Sequence, residues 1–504
     1  MINNIILSVE DSSNVIIGQE LTVDVNFEYN VSIKNDAIIT LENLVNIIAP
    51  TKTFSIGNEG GVSSISLKLI IPKDLNHGDM ISFDIVPNQG AIGFSQRNIN
   101  YIAKDIDPIS LSLKFIKKYV QTPEIDNHPP SQLNSKVMTT VKDKNQNSLS
   151  GIPVLISFFN TIDVDKVDIY AADQTTKIEV NKSNDMNEGF YVNSDKNGNI
   201  IFYVYPHKDT AAVLKFNSQV LNVTQAISSN ELYIVTSKPR GNTGVLLLPI
   251  IQDLDGVDLI SHGDFKFWIN IPRYNIARPG DVIVFFVDNN YVGYNFTLKS
   301  TNDLGTNIIQ LPYNIFVENQ VSYISYTVIS QNGNMYSSTE LELIFKGGVP
   351  NKPDPEIERQ YDLCKVYSSY GVYPGSIVEE YTYIYDDIIS ANNKEGLYVQ
   401  ITGTNDQNDT EHVTFGSEVT LNLYINSRQG HVTEHYTKRI PSVPDESGGN
   451  TATLTFNIPY DILKYNESYP DKPGEIYFDY QVGSDNDDVT YGKIWQAKID
   501  TDMK

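Results

Sequence analysis

Reactive residues are scarce in this chain of 504 residues. The single cysteine, Cys364, excludes an intrachain disulfide framework. No histidine or second cysteine motif surrounds it, so we expect a semi-buried structural thiol and not a nucleophile. The chain also contains no phosphate-binding loop, dinucleotide-binding glycine set, nucleophile elbow or His-Glu-x-x-His motif. These absences predict a protein that is not an enzyme and that has no catalytic, cofactor-binding or metal-binding residues.

Positive charge is also scarce. Lysine and arginine number 37 against 62 aspartate and glutamate residues, so the net charge is -25 and the pI is near 4.6. A surface of this sign repels phosphate backbones, which excludes nucleic acid as an expected partner. The same charge keeps a long chain soluble.

Long hydrophobic runs are absent. No window reaches eighteen apolar residues, so we expect no insertion into a membrane. The first ten residues, MINNIILSVE, carry no basic segment and soon alternate like a strand, so they do not resemble a Sec signal peptide. We expect an extracellular or cell-surface location, reached by another route or after removal of a leader, with the cytoplasm as the alternative.

A strand-and-corner pattern occurs three times along the chain. Each copy opens on a glycine that an alternating apolar strand follows, at Gly18, Gly280 and Gly416. Each copy ends on a proline and an Asp/Asn-aliphatic pair: Pro72-Lys73-Asp74-Leu75, Pro312-Tyr313-Asn314-Ile315 and Pro459-Tyr460-Asp461-Ile462. The distance between the two features varies, as it does in a repeated domain with free hairpin loops. We expect Asp74, Asn314 and Asp461 to accept hydrogen bonds from local backbone N–H groups and so to start a turn.

Apolar residues alternate with a period of two, and helical periodicity is scarce. This pattern predicts an all-β fold of tandem Ig-like antiparallel β-sandwich domains in an elongated array, because each one-sided sheet must bury its apolar face against another. We place domains at residues 1–104, 105–231, 232–346 and 358–504. The Gly- and Pro-rich stretch at 347–357 is typical of an interdomain linker that is partly stiff.

The second domain carries a more specific pattern. A strand from Val141 leads into an Asp/Asn turn and a second strand that opens on Gly151-Ile152-Pro153-Val154. About forty residues later, the turn Asp195-Lys196-Asn197-Gly198-Asn199 repeats the arrangement. Over residues 134–226 this pattern resembles the bacterial Ig-like (Big-1-like) domain of the invasin and intimin family, with residues 160–189 as an insertion. The resemblance implies an adhesive or spacer role and assigns no catalytic residue or metal site.

Oxygen-rich clusters make calcium the alternative to a protein without a cofactor. The clusters are Asp253-Leu254-Asp255-Gly256-Val257-Asp258, Asp485-Asn486-Asp487-Asp488 and Asp195-Lys196-Asn197-Gly198-Asn199. None has the spacing of an EF-hand loop, and we favour Asx-rich turns. His431 and His435 would lie roughly 13 Å apart on one strand face, too far to share a metal ion.

Tyrosine is concentrated near the C-terminus, where 16 of the 31 tyrosines lie between Tyr361 and Tyr491. Rigid, amphipathic tyrosine side chains suit a recognition surface. We therefore predict a ligand-binding surface formed by Tyr367, Tyr370, Tyr373, Tyr381, Tyr383 and Tyr385. Packing on a sheet face is the alternative, because Tyr381, Tyr383 and Tyr385 alternate as one strand face would.

These observations predict a bacterial, virulence-associated, adhesin-like or host-surface binding protein with its C-terminal domain as the binding tip. Its partner would be a protein or glycan on another cell surface. The alternative is a structural spacer or component of a larger secreted or injection-type assembly, whose partners are the other subunits.

Overall fold

Strands dominate the computed structural model, which describes residues 3–28, 33–57, 62–182, 188–237, 245–406, 409–483 and 489–502. Helix within these ranges is confined to short turns. The predicted all-β fold class is therefore confirmed. In the described part of the chain, no helix has the length and apolar character needed to cross a bilayer.

The N-terminal sandwich forms because its strands alternate between core and solvent. In the strand from Glu20 to Glu28, for example, Leu21, Val23, Val25 and Phe27 all enter the core. Its strands are β1 Asn4–Leu7, β2 Asn14–Ile16, β3 Glu20–Glu28, β4 Ile38–Val45, β5 Thr53–Ser55, β6 Val62–Ile70, β7 Met80–Pro87 and β8 Arg97–Lys104. One sheet has the order β1-β3-β6 and the other β2-β8-β7-β4-β5, with β2 parallel to β8. The core lies between them.

The second sandwich packs around a cluster of phenylalanines centred on Phe216, which contacts Phe115, Phe158 and Phe202. Its strands are β9 Lys114–Phe115, β10 Tyr119–Gln121, β11 Ser135–Thr140, β12 Pro153–Phe158, β13 Val167–Ala171, β14 Lys177–Ile178, β15 Phe190–Asn193, β16 Asn199–Pro206, β17 Ala212–Leu214, β18 Phe216–Gln219, β19 Ile227–Ser228 and β20 Leu232–Val235. Turns of 3-10 helix cover Pro108–Leu111 and Thr161–Asp165. The sheets have the orders β14-β13-β16-β11-β9, β15-β12-β18-β19 and β10-β20-β17, with β10 parallel to β20.

The predicted insertion at 160–189 supplies β13 and β14, which extend a sheet of the second sandwich through the pairing of β13 with β16. Residues 183–187 of this segment lie outside the described residues. Strand β20 lies beyond the predicted boundary at 231 and pairs with β10 and β17.

Residues 245–345 supply a further set of strands. They are β21 Val245–Leu246, β22 Ile250–Ile251, β23 Leu254–Asp255, β24 Asp258–Leu259, β25 Lys266–Asn270, β26 Val282–Val287, β27 Asn290–Thr297, β28 Ile309–Pro312, β29 Val321–Ile329, β30 Met335–Ser338 and β31 Leu341–Phe345. Strand β26 pairs with β27 and β29, and β25 pairs with β28. Turns of 3-10 helix cover Thr301–Asp303 and Tyr313–Ile315.

An apolar contact joins β26 and β29 to the second sandwich. Val284, Phe286 and Ile329 bury together with Tyr233 and Val235. The ring of Tyr119 lies 5.6 Å from Phe286 and 5.5 Å from Tyr291. Aromatic contacts of this kind stabilise beyond their buried area, so this contact is a packed core and not a loose hinge.

The C-terminal sandwich has its own core, which includes Leu421, Phe456, Phe478 and Trp495. Its strands are β32 Lys365–Tyr367, β33 Ile377–Val378, β34 Tyr383–Tyr385, β35 Leu397–Thr404, β36 Val413–Thr414, β37 Glu418–Ser427, β38 Gly430–Arg439, β39 Thr451–Ile458, β40 Gly474–Val482, β41 Thr490–Tyr491 and β42 Trp495–Asp500. Helical turns cover Pro374–Ser376 (3-10), α1 Asp386–Ser390 and α2 Tyr460–Leu463. One sheet has the order β33-β32-β35-β36, with β39 also on β35. The other has the order β34-β42-β40-β37-β38, with β41 also on β40 and β34 parallel to β42.

Packing divides the chain into two units. One comprises Met1–Ile250, Asn270–Ile308 and Tyr323–Glu342, and the other Ile251–Ile269, Ile309–Ser322 and Leu343–Lys504. The division passes through the predicted third domain, so the four-domain boundaries and the linker at 347–357 stay a prediction.

The repeated corners form turns as predicted, but the predicted capping is wrong at the second and third corners. Helix α2 follows Pro459 and a 3-10 turn follows Pro312, and neither turn has a side-chain cap bond at its N-terminus. Proline itself occupies the capping position there, so Asp461 lies inside α2 and pairs with Lys464 at 2.5 Å instead. The buried Asn466 acts at the other end of α2, where its amide donates to the Leu463 carbonyl at 2.9 Å.

Candidate binding surface of the C-terminal sandwich

Two stacked tyrosines mark the edge strand β34. Ile384 points into the core, so its neighbours Tyr383 and Tyr385 face solvent. Their rings lie 5.3 Å apart and only 4° from parallel. The Nζ of Lys498, the register partner of Tyr383 on β42, lies 4.9 Å from the centre of the Tyr383 ring. The two stacked rings therefore form a flat aromatic surface, with the Lys498 ammonium beside Tyr383.

Three more of the predicted tyrosines are also exposed. Tyr381 is 66% exposed and precedes β34 with a φ of +61°, so it does not continue the strand alternation of Tyr383 and Tyr385. Tyr370 and Tyr373 lie between β32 and β33, in a loop that Ser376 closes by donating to the Tyr373 carbonyl at 2.9 Å. We refer to the exposed side chains of Tyr370, Tyr373, Tyr381, Tyr383 and Tyr385 together as the tyrosine surface, of which Tyr383 and Tyr385 are in ring contact.

Tyr367 differs from the rest of the predicted set. It lies in β32, is only 6% exposed, and its hydroxyl donates to the Gln400 side chain at 3.2 Å. Its ring therefore packs within the sandwich and is not part of the tyrosine surface.

An open groove of about 710 Å³ lies beside α2. Lys394 and Lys464 place their ammonium groups 5.3 and 5.9 Å from the Tyr460 ring, and Lys464 is also 5.4 Å from the Tyr465 ring. The Tyr460 pKa is raised by burial and by the hydrogen bond of its hydroxyl to Asp386 at 3.1 Å. From the sequence, Tyr460 was identified only as part of a repeated corner. Its contact with Lys394 could not be predicted, because Lys394 lies in a distant loop and no motif links the two residues.

The oxygen-rich clusters form turns, as predicted, where the structure describes them. The Asp195 carboxylate accepts backbone N–H groups of Asn197 and Asn199, both at 2.8 Å, which is an Asx turn. Asp255 and Asp258 pair in the β23-β24 hairpin. The cluster at 485–488 lies outside the described residues.

The two histidines of β38 lie on a strand, as predicted. The Nδ1 atoms of His431 and His435 are 2.6 and 2.8 Å from the side-chain oxygens of Asn426 and Asn422 on β37. Both imidazoles thus bridge neighbouring strands.

Cys364 lies fully inside the C-terminal sandwich, more buried than predicted. Burial is the main cause that raises the pKa of its thiol well above the ordinary value. Because the thiolate is the reactive form, this side chain packs as a small apolar residue.

No protein-family model and no curated protein matches this chain. Among solved structures, the D0-D1 domains of intimin are 12% identical over 47% of this chain and 100% of theirs, with a TM-score of 0.17. A C-terminal intimin fragment, solved with the intimin-binding domain of the translocated intimin receptor, is 11% identical over 58% of this chain and 73% of its own, with a TM-score of 0.17. Domains 4-9 of the surface layer protein SbsC are 11% identical over 100% of this chain and 83% of theirs, with a TM-score of 0.19. At these identities and TM-scores, the likenesses carry no argument about the fold or the function of this chain.

Proposed function

We propose that this chain is a non-enzymatic, adhesin-like binding protein at the cell surface or outside the cell. In this proposal the tyrosine surface of the C-terminal sandwich contacts a protein or glycan on another cell.

The stacked pair Tyr383 and Tyr385 is the observation that carries the proposal. Aromatic rings left in water forgo the stabilisation that burial would provide, so a rigid exposed pair needs a role. The pair is already ordered by the anchoring of Ile384 and by the pairing of β34 with β42, so binding would cost little side-chain entropy.

The test uses the full-length chain, labelled and applied to cells before and after enzymatic removal of surface glycans. We expect saturable binding that falls at least tenfold in the Tyr383→Ala/Tyr385→Ala variant and that depends weakly on salt, since the anchors are aromatic. Tyr191→Ala is the matched control, because Tyr191 is an exposed strand tyrosine of the second sandwich.

Equal binding by the double variant and the wild type would remove the tyrosine surface from the proposal. A wild-type chain that binds no cell but co-purifies with stoichiometric subunits would favour the alternative, a structural component of a larger secreted or injection-type assembly. Loss of binding after glycan removal identifies the glycan as the ligand.

A further inference from the structure

Three side chains with metal-ligand atoms meet where the N-terminal and second sandwiches join. His77 lies in the turn before β7, Asp105 follows β8, and Asp143 lies in the turn between β11 and β12. One ligand atom from each lies within 4.8 Å of the other two. This group combines an imidazole with two carboxylates and is not an acidic cluster alone.

The imidazole of His77 is oriented as a metal-bound histidine would be. Its Nδ1 is 3.0 Å from Asp105 Oδ1, and its Nε2 is 3.8 Å from Asp143 Oδ2. Metal-binding histidines donate their second ring N–H to a carboxylate, which fixes the tautomer. Asp105 provides that carboxylate, so the lone pair of Nε2 is directed toward Asp143. Ligand atoms around a tetrahedral Zn²⁺ lie roughly 3.4 Å apart. This value is close to the 3.8 Å between His77 Nε2 and Asp143 Oδ2.

Asp143 is pre-organised as an anionic ligand. It is 1% exposed, and its carboxylate accepts the backbone N–H groups of Asn145 and Asn147 at 2.9 and 2.8 Å. A buried carboxylate favours a cation beside it.

A cationic side chain already approaches the same lone pair. The Nζ of Lys104 lies 3.3 Å from His77 Nε2 and donates toward it. An ammonium on a flexible stem can move aside at small cost, whereas the imidazole and carboxylates are held by their own hydrogen bonds. Lys104 therefore competes with a metal ion for this position.

We propose that His77 Nε2 and Asp143 bind a divalent transition-metal ion, with Asp105 as the carboxylate that holds the His77 tautomer and with Zn²⁺ as the probe. An imidazole nitrogen favours Zn²⁺ over the hard cations Ca²⁺ and Mg²⁺, which prefer oxygen ligands alone. The bound ion fastens the loop at His77 to the turn at Asp143, and so stabilises the junction of the two sandwiches by mass action.

The experiment measures thermal melting and calorimetric titration of the EDTA-treated full-length chain with Zn²⁺ or Ca²⁺. We expect one equivalent of Zn²⁺ to bind and to raise the melting temperature, with a much smaller effect of Ca²⁺. His77→Ala and the near-isosteric Asp143→Asn should both abolish the Zn²⁺-dependent rise. Far-UV circular dichroism confirms that the variants fold.

Two further variants separate a metal site from a simple ion-pair cluster. Lys104→Gln removes the competing ammonium and should tighten Zn²⁺ binding severalfold. His207→Ala is the control, because His207 contacts the single carboxylate of Asp168 at 3.0 Å and should leave Zn²⁺ binding unchanged.

The proposal is overturned by a wild-type chain that shows no Zn²⁺-dependent shift. It is also overturned if one-equivalent binding persists in folded His77→Ala or Asp143→Asn, or if binding is unchanged or weaker in Lys104→Gln.

Discussion

Arg359 and Asp479 form an ion pair of 2.9 Å whose side chains are only 10% and 4% exposed. The second oxygen of Asp479 accepts the amide of Asn422 at 2.9 Å, and Asn422 in turn contacts His435. Arg359 also donates to the Gly492 carbonyl at 2.7 Å. This polar chain fixes the segment before β32 onto the sheet that contains β40, β37 and β38.

Removal of one partner from this pair should be costly. Asp479→Ala leaves the Arg359 guanidinium buried without its counter-ion. We expect the free energy of unfolding to fall by about 3–5 kcal/mol. Urea unfolding followed by Trp495 emission, in a Trp268→Phe background, reports on the C-terminal sandwich. Arg439→Ala breaks the exposed pair with Glu418 and should cost about 0–1 kcal/mol. Similar losses of unfolding free energy in Asp479→Ala and Arg439→Ala would contradict the burial of the Arg359–Asp479 pair.

The corner at α2 provides a second comparison. Asn466 is buried and its amide donates to carbonyls at the end of α2, so Asn466→Ala should cost about 1–3 kcal/mol by leaving those groups unpaired. Asp461 is exposed and caps nothing, so Asp461→Ala should leave the same urea midpoint nearly unchanged. A larger loss for Asp461→Ala than for Asn466→Ala would restore the capping role predicted from the sequence.

Acid should selectively weaken the turn at Asp143. The pKa of this carboxyl is lower in the folded chain than in the unfolded chain, so its stabilisation is present above the unfolded value, about 3.9, and is lost as the pH falls below it. In EDTA, Asp143→Asn should melt below the wild type at pH 7, and the difference should shrink by pH 3. His77 faces the same carboxylate, with its Nε2 3.8 Å from Asp143 Oδ2, and Lys104 Nζ lies 3.3 Å from that nitrogen. If the difference in melting temperature between Asp143→Asn and the wild type is the same at both pH values, the charge of Asp143 does not contribute to stability.

Limited proteolysis tests the linker predicted at 347–357. Its proline and glycine content favours cutting here first, with fragments near residues 1–348 and 355–504. Asn351 opposes this, because its amide donates to the Ile425 and Val432 carbonyls at 3.0 and 3.1 Å and its carbonyl accepts Asn426 at 2.9 Å. Asn351→Ala should therefore accelerate the cut in this segment. A first cut inside β37 would show that the predicted boundary is misplaced.

Strand pattern was predictable where one face of a long strand is buried. The alternating strand predicted after Gly18 matches β3, since Leu21, Val23, Val25 and Phe27 alternate with polar residues. Strands β2 and β10 are three residues long, too short for a period to show. Their pairing partners, β8 and β20, are distant in the chain.

The residues of the candidate sites could also be predicted only where strand alternation determines which side chains are exposed. The exposure of Tyr383 and Tyr385 follows from Ile384 between them, whereas Tyr367 and its neighbour Val366 are both buried, which alternation does not predict. His77, Asp105 and Asp143 come from separate turns, and only the packing of one sandwich on the next brings them together.

The parallel pairing of a short early strand with the final strand has a mechanical consequence. In the N-terminal, second and C-terminal sandwiches, a short early strand lies parallel to the final strand: β2 on β8, β10 on β20 and β34 on β42. Tension applied across such a parallel pair loads its hydrogen bonds together in shear, instead of peeling them apart one by one as in a hairpin pulled from its open end. The force needed to unfold each sandwich should therefore depend on these short pairings. Pulling single molecules in which proline replaces Val15 of β2, a residue that pairs with Ala103 of β8, would measure that contribution directly.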